Sequence, residues 1–204
     1  MTSPKIKSGI KTIFLDLFGV LLGVDQSVIL QYISRQSGLS YNKTKEIVLG
    51  ECYMKLERGE SSFPEYIKEM ISLLPGSVSI NPLELKDMWM NSKVGEMPAV
   101  SLLPELRTHY TLWVISNTTD SHIQHLKSKF DFLHKMAGII TSQRAKSRKP
   151  EVGIFKFALD CADAEAHRSV FVDDSYNNVH TAENLGFQSH HYREFESFRS
   201  FIII

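Results

Sequence analysis

Cysteine is scarce in this chain of 204 residues, and Cys52 and Cys161 stand too far apart to form a thiolate metal motif. A disulfide scaffold is therefore excluded, and a reducing, cytoplasmic setting is expected. Net charge is also missing, because 23 Lys and Arg balance 23 Asp and Glu. No global field draws in nucleic acid or anionic lipid, so neither is expected as a partner. Long apolar runs are absent too, and no stretch approaches the roughly 20 residues of a membrane span. The opening MTSPKIKSGIK lacks the apolar segment of a signal peptide. No internal repeat or low-complexity linker interrupts the chain, and the eight histidines show no ligand spacing. What remains is 43% hydrophobic and 23% charged, ordinary for a globular protein with one core and a small insert.

Thr12-Ile13-Phe14-Leu15 reads as a short buried strand, ended by Asp16. The pattern then turns helical for about seventy residues. Val24, Val28, Tyr32 and Ile33 share one helical face, and a second helix from Ser40 carries Ile47, Val48 and Cys52. Ser62-Phe63-Pro64-Glu65 is a capping box with proline inside it, followed by Ile67, Met70, Ile71 and Leu74. Asn81-Pro82-Leu83-Glu84 opens a fourth helix, with Leu85, Met88 and Trp89 on its apolar face. These four helices show no strand signal and read as a small bundle inserted after the first strand.

Strands and helices alternate afterwards. Strands are expected at Thr111–Ile115, Ala137–Ile140, Val170–Val172 and Gln188–Tyr192, with helices between them and a C-cap glycine at Gly186. This implies an α/β fold, a Rossmann-like parallel sheet with helices on both faces. The expected domains are a core of residues 1–23 and 98–204 and a helical cap of residues 24–97. The terminal Phe201-Ile202-Ile203-Ile204 reads as packing onto an edge of the fold.

Ligands in such sheets bind outside the carboxyl ends of the strands. Asp16, Ser116-Asn117 and Asp173-Asp174 each follow an apolar strand, and Lys149 precedes a proline at a helix start. Parallel strands would bring all of them to one edge. Three carboxylates there repel one another unless a cation joins them, and hard oxygen ligands suit Mg²⁺. A hydroxyl, an amide and a lysine are donors for an anion, most simply a phosphate. An aspartate beside them can act as a nucleophile.

FLDLFGV, VISNTTD, RKPEVGIF and FVDDSYNNVHTAENLGF resemble, in order, the four motifs of the haloacid dehalogenase (HAD) superfamily. The resemblance spans nearly the whole chain and is strongest to hydrolases similar to α-glucose-1-phosphate phosphatase. It implies a small helical cap and hydrolysis of a small phosphorylated metabolite through an aspartyl-phosphate. It implies Asp16 as nucleophile and metal ligand, with the Phe18 carbonyl, Asp173 and Asp174 around Mg²⁺. It places Ser116 and Asn117 on the transferring group, with Lys149 bridging that group to Asp16. Gly19 and Asn178 are supporting residues. The cap motif Glu57-Arg58-Gly59-Glu60 reads as a solvated turn or, through Arg58 and Glu60, as a substrate contact.

Phe18 departs from the phosphatase pattern, which usually has a second aspartate there to protonate the leaving group. The departure implies a slow phosphatase, since such help is typically worth ~10²–10⁴-fold. Asp25, early in the insert, is a candidate substitute acid. An aromatic at this position also favours a 2-haloacid dehalogenase, whereas Asp173-Asp174 weigh against it. A third alternative is a pseudoenzyme that binds a phosphorylated ligand or a protein partner and turns over little.

Overall fold

The computed structural model describes residues 6–76, 79–90 and 92–202. The readings on the first five residues and on Ile203 and Ile204 concern positions outside that part. Among the described residues, no helix is long and apolar enough to cross a membrane.

The sheet forms from β1 (Thr12–Leu15), β4 (Thr111–Ser116), β5 (Gly138–Thr141), β6 (Ser169–Asp173) and β7 (Gln188–His191). Its order is β5-β4-β1-β6-β7, and every pairing is parallel. β1 is central, with Leu15 in register with Val114 on one side and Val172 on the other. Its side chains alternate between two buried cores, as period-two geometry requires. Ile13 and Leu15 join Val114, Val172, Leu106, Phe198 and Phe201 on one face. Phe14 joins Ile115, Ile140, Phe155, Phe171 and Phe187 on the other.

The helices flanking the sheet are α6 (Leu103–His109), α7 (Asp120–Lys127), α8 (Ser142–Ala145), α9 (Val152–Ala162), α10 (Tyr176–Asn184) and α11 (Phe195–Ile202). Gly186 follows α10 at φ +93°, in the left-handed region that stops a helix. Phe201 and Ile202 of the apolar tail are buried, and the Phe201 carbonyl accepts from Ile6 N.

Among the described residues, the insert holds five helices rather than the expected four: α1 (Ser27–Ser37), α2 (Tyr41–Val48), α3 (Glu51–Glu57), α4 (Phe63–Ser72) and α5 (Pro82–Met90). The expected second helix breaks at Leu49-Gly50, where Gly50 takes an extended conformation (φ −80°, ψ −154°) in which a Cβ would strike the Glu46 carbonyl. The capping box at Ser62 forms, with Ser62 N donating to Glu65 Oε2 at 2.7 Å and Glu65 N to Ser62 Oγ at 3.4 Å. Helical residues such as Ile33, Cys52, Tyr66, Met70 and Trp89 bury one another in a third, separate core.

Two strands also enter the insert where none was expected. β2 (Leu22–Asp25) pairs antiparallel with β3 (Lys93–Glu96), so Val24 is a strand residue rather than the start of a helix. The ribbon joins both ends of the insert to the core.

Candidate active site

The strand ends place the acids, since β1 stops at Leu15 just before Asp16 and β6 stops at Asp173. Because the sheet is parallel, both carboxylates emerge at one edge, next to Ser116 at the end of β4. Each of Asp16, Asp173 and Asp174 offers an oxygen within 4.8 Å of the others. Lys149 Nζ lies 2.6 Å from Asp16 Oδ1 and 2.7 Å from Asp173 Oδ2. Asn117 holds the lysine by its backbone: Lys149 N donates to Asn117 Oδ1 at 2.7 Å, and Asn117 Nδ2 donates to the Lys149 carbonyl at 2.9 Å.

Asp173 is fully engaged. Besides Lys149, it accepts from Ser175 N at 2.8 Å and from Asn178 Nδ2 at 2.9 Å, both on Oδ1. Asp16 is not. Its Oδ1 takes Lys149 and Leu17 N, while Oδ2 has no hydrogen-bond partner among the described residues. Ser116 Oγ is also buried with no partner among the described residues. A free carboxylate oxygen and a free buried hydroxyl thus share one cavity wall, an arrangement suited to a ligand that accepts a hydrogen bond and undergoes attack.

Charge is unbalanced here, with three acids against one lysine. Burial, followed by the neighbouring Asp173, pushes the Asp16 carboxyl well above the usual range, and Lys149 only partly opposes this. Burial and then Asp173 also raise Asp174. Burial by itself would lower the Lys149 ammonium, but Asp16 and Asp173 outweigh it and its pKa ends up raised.

Gly19 sits at φ +90°, and a Cβ there would run into the Asp174 carboxylate. The bare backbone is what lets the β1 loop come this close to Asp174. Phe18 is half-buried, and its ring stacks on His122 at 5.5 Å. His122 Nδ1 lies 3.1 Å from Thr118 Oγ1. Burial, then the charges of His125 and Lys129, lower His122 to about 4.

The cavity over Asp16 measures about 220 Å³ and is closed partly by the insert, through Leu49, Tyr53, Glu57 and Trp89. His122 and Tyr53 escape the sequence reading, which places Trp89 only on the packing face of a helix. His122 had one available signal, a polar residue in the first turn of the helix after a site strand.

Arg58 and Glu60 are placed elsewhere and line neither this cavity nor its neighbour. Arg58 pairs with Glu60 at 2.7 Å, Glu51 at 2.9 Å and Glu151 at 3.7 Å. Glu60 is exposed, as the solvated-turn reading expects, whereas Glu57 is buried and ties the turn to the loop before Lys149. Buried Glu57 accepts from Arg148 Nε at 2.9 Å, and its carbonyl accepts from Ser142 Oγ at 2.6 Å. Asp25 is no substitute acid in this arrangement: it is exposed, is absent from the cavity lining, and accepts from Ser27 N at 2.9 Å.

A buried carboxylate thus ends the central strand of a parallel α/β sheet, held by a lysine beside an acid pair. The family model for haloacid dehalogenase-like hydrolases matches residues 87–191, and the chain belongs to that family. It is 24% identical over 193 residues to a D-ribitol-5-phosphate phosphatase of Bacteroides thetaiotaomicron, covering 88% of this chain and 90% of that one. Its fold superposes on a HAD-family enzyme of the same organism, solved with magnesium and inorganic phosphate, at a TM-score of 0.74 and 22% identity. That match covers 90% of this chain and 94% of the other. A HAD-like hydrolase from Porphyromonas gingivalis superposes at 0.72 with 21% identity, covering 90% and 91%.

Proposed function

We propose that this chain is a Mg²⁺-dependent phosphoric monoester hydrolase for small phosphorylated metabolites, with residues 24–97 acting as its cap. One observation carries the reading: three carboxylates meet one lysine around an unpartnered Asp16 Oδ2 and an unpartnered Ser116 Oγ. The relative that hydrolyses D-ribitol 5-phosphate and the fold neighbour solved with magnesium and phosphate support it.

The donor set fits a hard divalent cation, being all oxygen and carrying excess negative charge. Asp16, Asp174 and the Phe18 carbonyl would hold it, with Asp173 beside them. Once bound, such an ion neutralises charge on the carboxylates and on the transferring phosphoryl group.

The chain's own residues do the rest. Ser116 and Asn117 bind the phosphate oxygens. Lys149 holds Asp16 in place and offsets charge on the transferring group. Asp16 Oδ2 attacks phosphorus, the ester P–O bond breaks, and the leaving oxygen takes its proton from water because Phe18 offers none. Water then cleaves the acyl-phosphate, returning Asp16 and releasing phosphate. The cap walls limit access of bulk water.

Hydrolysis of alkyl and aryl phosphates with and without Mg²⁺ tests this. Asp16→Asn should abolish turnover, and a chelator should do the same. Phe18→Asp should raise the rate, most for alkyl esters, whose poor leaving groups need a proton, by up to ~10²-fold. Equal gains on both ester types would show that residue 18 is not the missing acid position. The aromatic Phe18 favours the second reading, a 2-haloacid dehalogenase. Halide release from a 2-haloacid without phosphate release would decide for it.

A further inference from the structure

Cleavage of an acyl-phosphate on Asp16 leaves one proton in need of an acceptor. A bond forms from water oxygen to phosphorus, and the bond from phosphorus to Asp16 Oδ2 breaks, its electron pair returning to the carboxylate. The attacking water must also lose a proton, and the Phe18 side chain offers no base. Resting on the phosphatase reading, we propose that Glu57 takes that proton on its Oε1 and is the general base of the second half-reaction.

Among the described residues lining the cavity over Asp16, the acids are Asp16 itself and Glu57. The Glu57 side chain is 8% exposed, and its Oε2 accepts from Arg148 Nε at 2.9 Å. Its Oε1 has no hydrogen-bond partner among the described residues, which is rare for so buried a carboxylate. The Glu57 backbone is held too, through the bond from Ser142 Oγ to its carbonyl at 2.6 Å. A base fixed at both ends in this way is positioned before the reaction begins. Water must reach phosphorus roughly in line with the breaking bond, from the side away from Asp16 Oδ2. Asp16 belongs to the sheet edge and Glu57 to the helix α3 of the insert that helps close the cavity, so the two carboxyls approach that space from different elements.

The other titratable groups of the cavity suit the task less well. Lys149 binds Asp16 and Asp173 through its ammonium and keeps its proton. Burial pushes the Tyr53 phenol far up, so it keeps its proton as well. His122, lowered to about 4 chiefly by burial, is a weaker base than an ordinary imidazole. Glu57 moves the other way, because burial raises it and Arg148, Lys149 and Arg58 only partly oppose this. A raised carboxyl is a stronger base once ionised. The ion pair with Arg148 favours the ionised form.

The test uses an activated aryl phosphate, whose leaving group departs without a proton, so that the second half-reaction is exposed. Glu57→Gln should lower kcat by ~10²-fold or more. Its time course should open with a burst of about one equivalent of phenol per enzyme. Acid-quenched samples should carry a phosphoryl group on the peptide of Asp16, read by mass spectrometry. Glu57→Asp, which keeps the charge but draws the base back, should show the same burst with a smaller fall in kcat. Arg148→Gln, which breaks the same ion pair but keeps the carboxylate, should show neither burst nor trapped phosphoryl group. Thermal melts check that each variant folds. Turnover by both Glu57 variants at the wild-type rate, or slowing without a trapped phosphoryl group, would overturn the assignment. Equal trapping in Arg148→Gln would also overturn it, by tracing the effect to cap placement. A wild type that hydrolyses no phosphate ester would overturn the phosphatase reading itself, and the assignment with it.

Discussion

At Gly19 one missing carbon decides the shape of the metal-side wall. Any Cβ there meets the Asp174 carboxylate, and the φ of +90° disfavours every L side chain. Gly19→Ala should therefore push Asp174 away from Asp16. The expected outcome is a Mg²⁺ affinity at least tenfold weaker by calorimetry, with a stability loss of about 1 kcal/mol. Unchanged affinity would remove Asp174 from the ligand set. Asp173 differs because three donors already hold it, from Lys149, Ser175 and Asn178. Among the acid pair, Asp173 is therefore held fixed, and we propose Asp174 as the oxygen donor left for an ion.

Between elements, the turn after α3 and the loop between α8 and α9 are pinned to each other. Glu57 ends α3 and meets Arg148, the residue before Lys149, while Lys146 Nζ donates to the Gly59 carbonyl at 3.3 Å. Gly59 adopts φ +66°, and a Cβ there would press on Gln143. The clasp thus ties cap placement to the segment that carries the site lysine. Burial pushes the Glu57 carboxyl up while Arg148 opposes this, so removing either partner strands a charge in a dry seam. Glu57→Ala should cost about 1–3 kcal/mol in urea unfolding, and Glu57→Gln, which keeps a hydrogen bond, less than half of that. Equal losses for both variants would show that the charge itself, not the bond, holds the clasp.

For the whole molecule, stability depends on two apolar layers pressed onto the sheet, and acid attacks one of them at a histidine. His190 on β7 is buried against Phe198 and Phe201, stacked on the latter at 4.7 Å, and its Nε2 has no partner among the described residues. Burial, then the charge of His191, lower it to about 4 from an ordinary 6.5. A lowered folded pKa means the unfolded chain takes the proton first. His190 therefore costs nothing above pH about 6.5, and stability falls as pH drops from there towards 4. The expected loss is roughly 1–2 kcal/mol, discounted from about 1.4 kcal/mol per unit because β7 lies at the sheet edge. His190→Phe should flatten that part of the curve in melts taken from pH 7 to 4.5. Parallel curves for both proteins would assign the acid loss elsewhere.

The order of strands and helices, the parallel sheet and the acids at strand ends were legible in the sequence, because apolar periodicity and strand termination are local properties. Asp16, Asp173 and Lys149 could be singled out by position, since parallel strands deliver their carboxyl ends to one edge. The β2–β3 ribbon was not legible: its arms are four residues each, contain Gly23 and Gly95, and pair across some seventy residues of chain. The break at Gly50 and the fifth helix depended on one extended residue, at a place where a Cβ would meet the Glu46 carbonyl. The placement of Glu57-Arg58-Gly59-Glu60 emerges only in three dimensions, because a charged turn has the same sequence whether it faces solvent, substrate or another loop. His122 and the aromatic walls belong with it. Local sequence determines which residues can do chemistry, but a cavity wall is set by what distant segments bring opposite it, and that is a property of the tertiary structure alone.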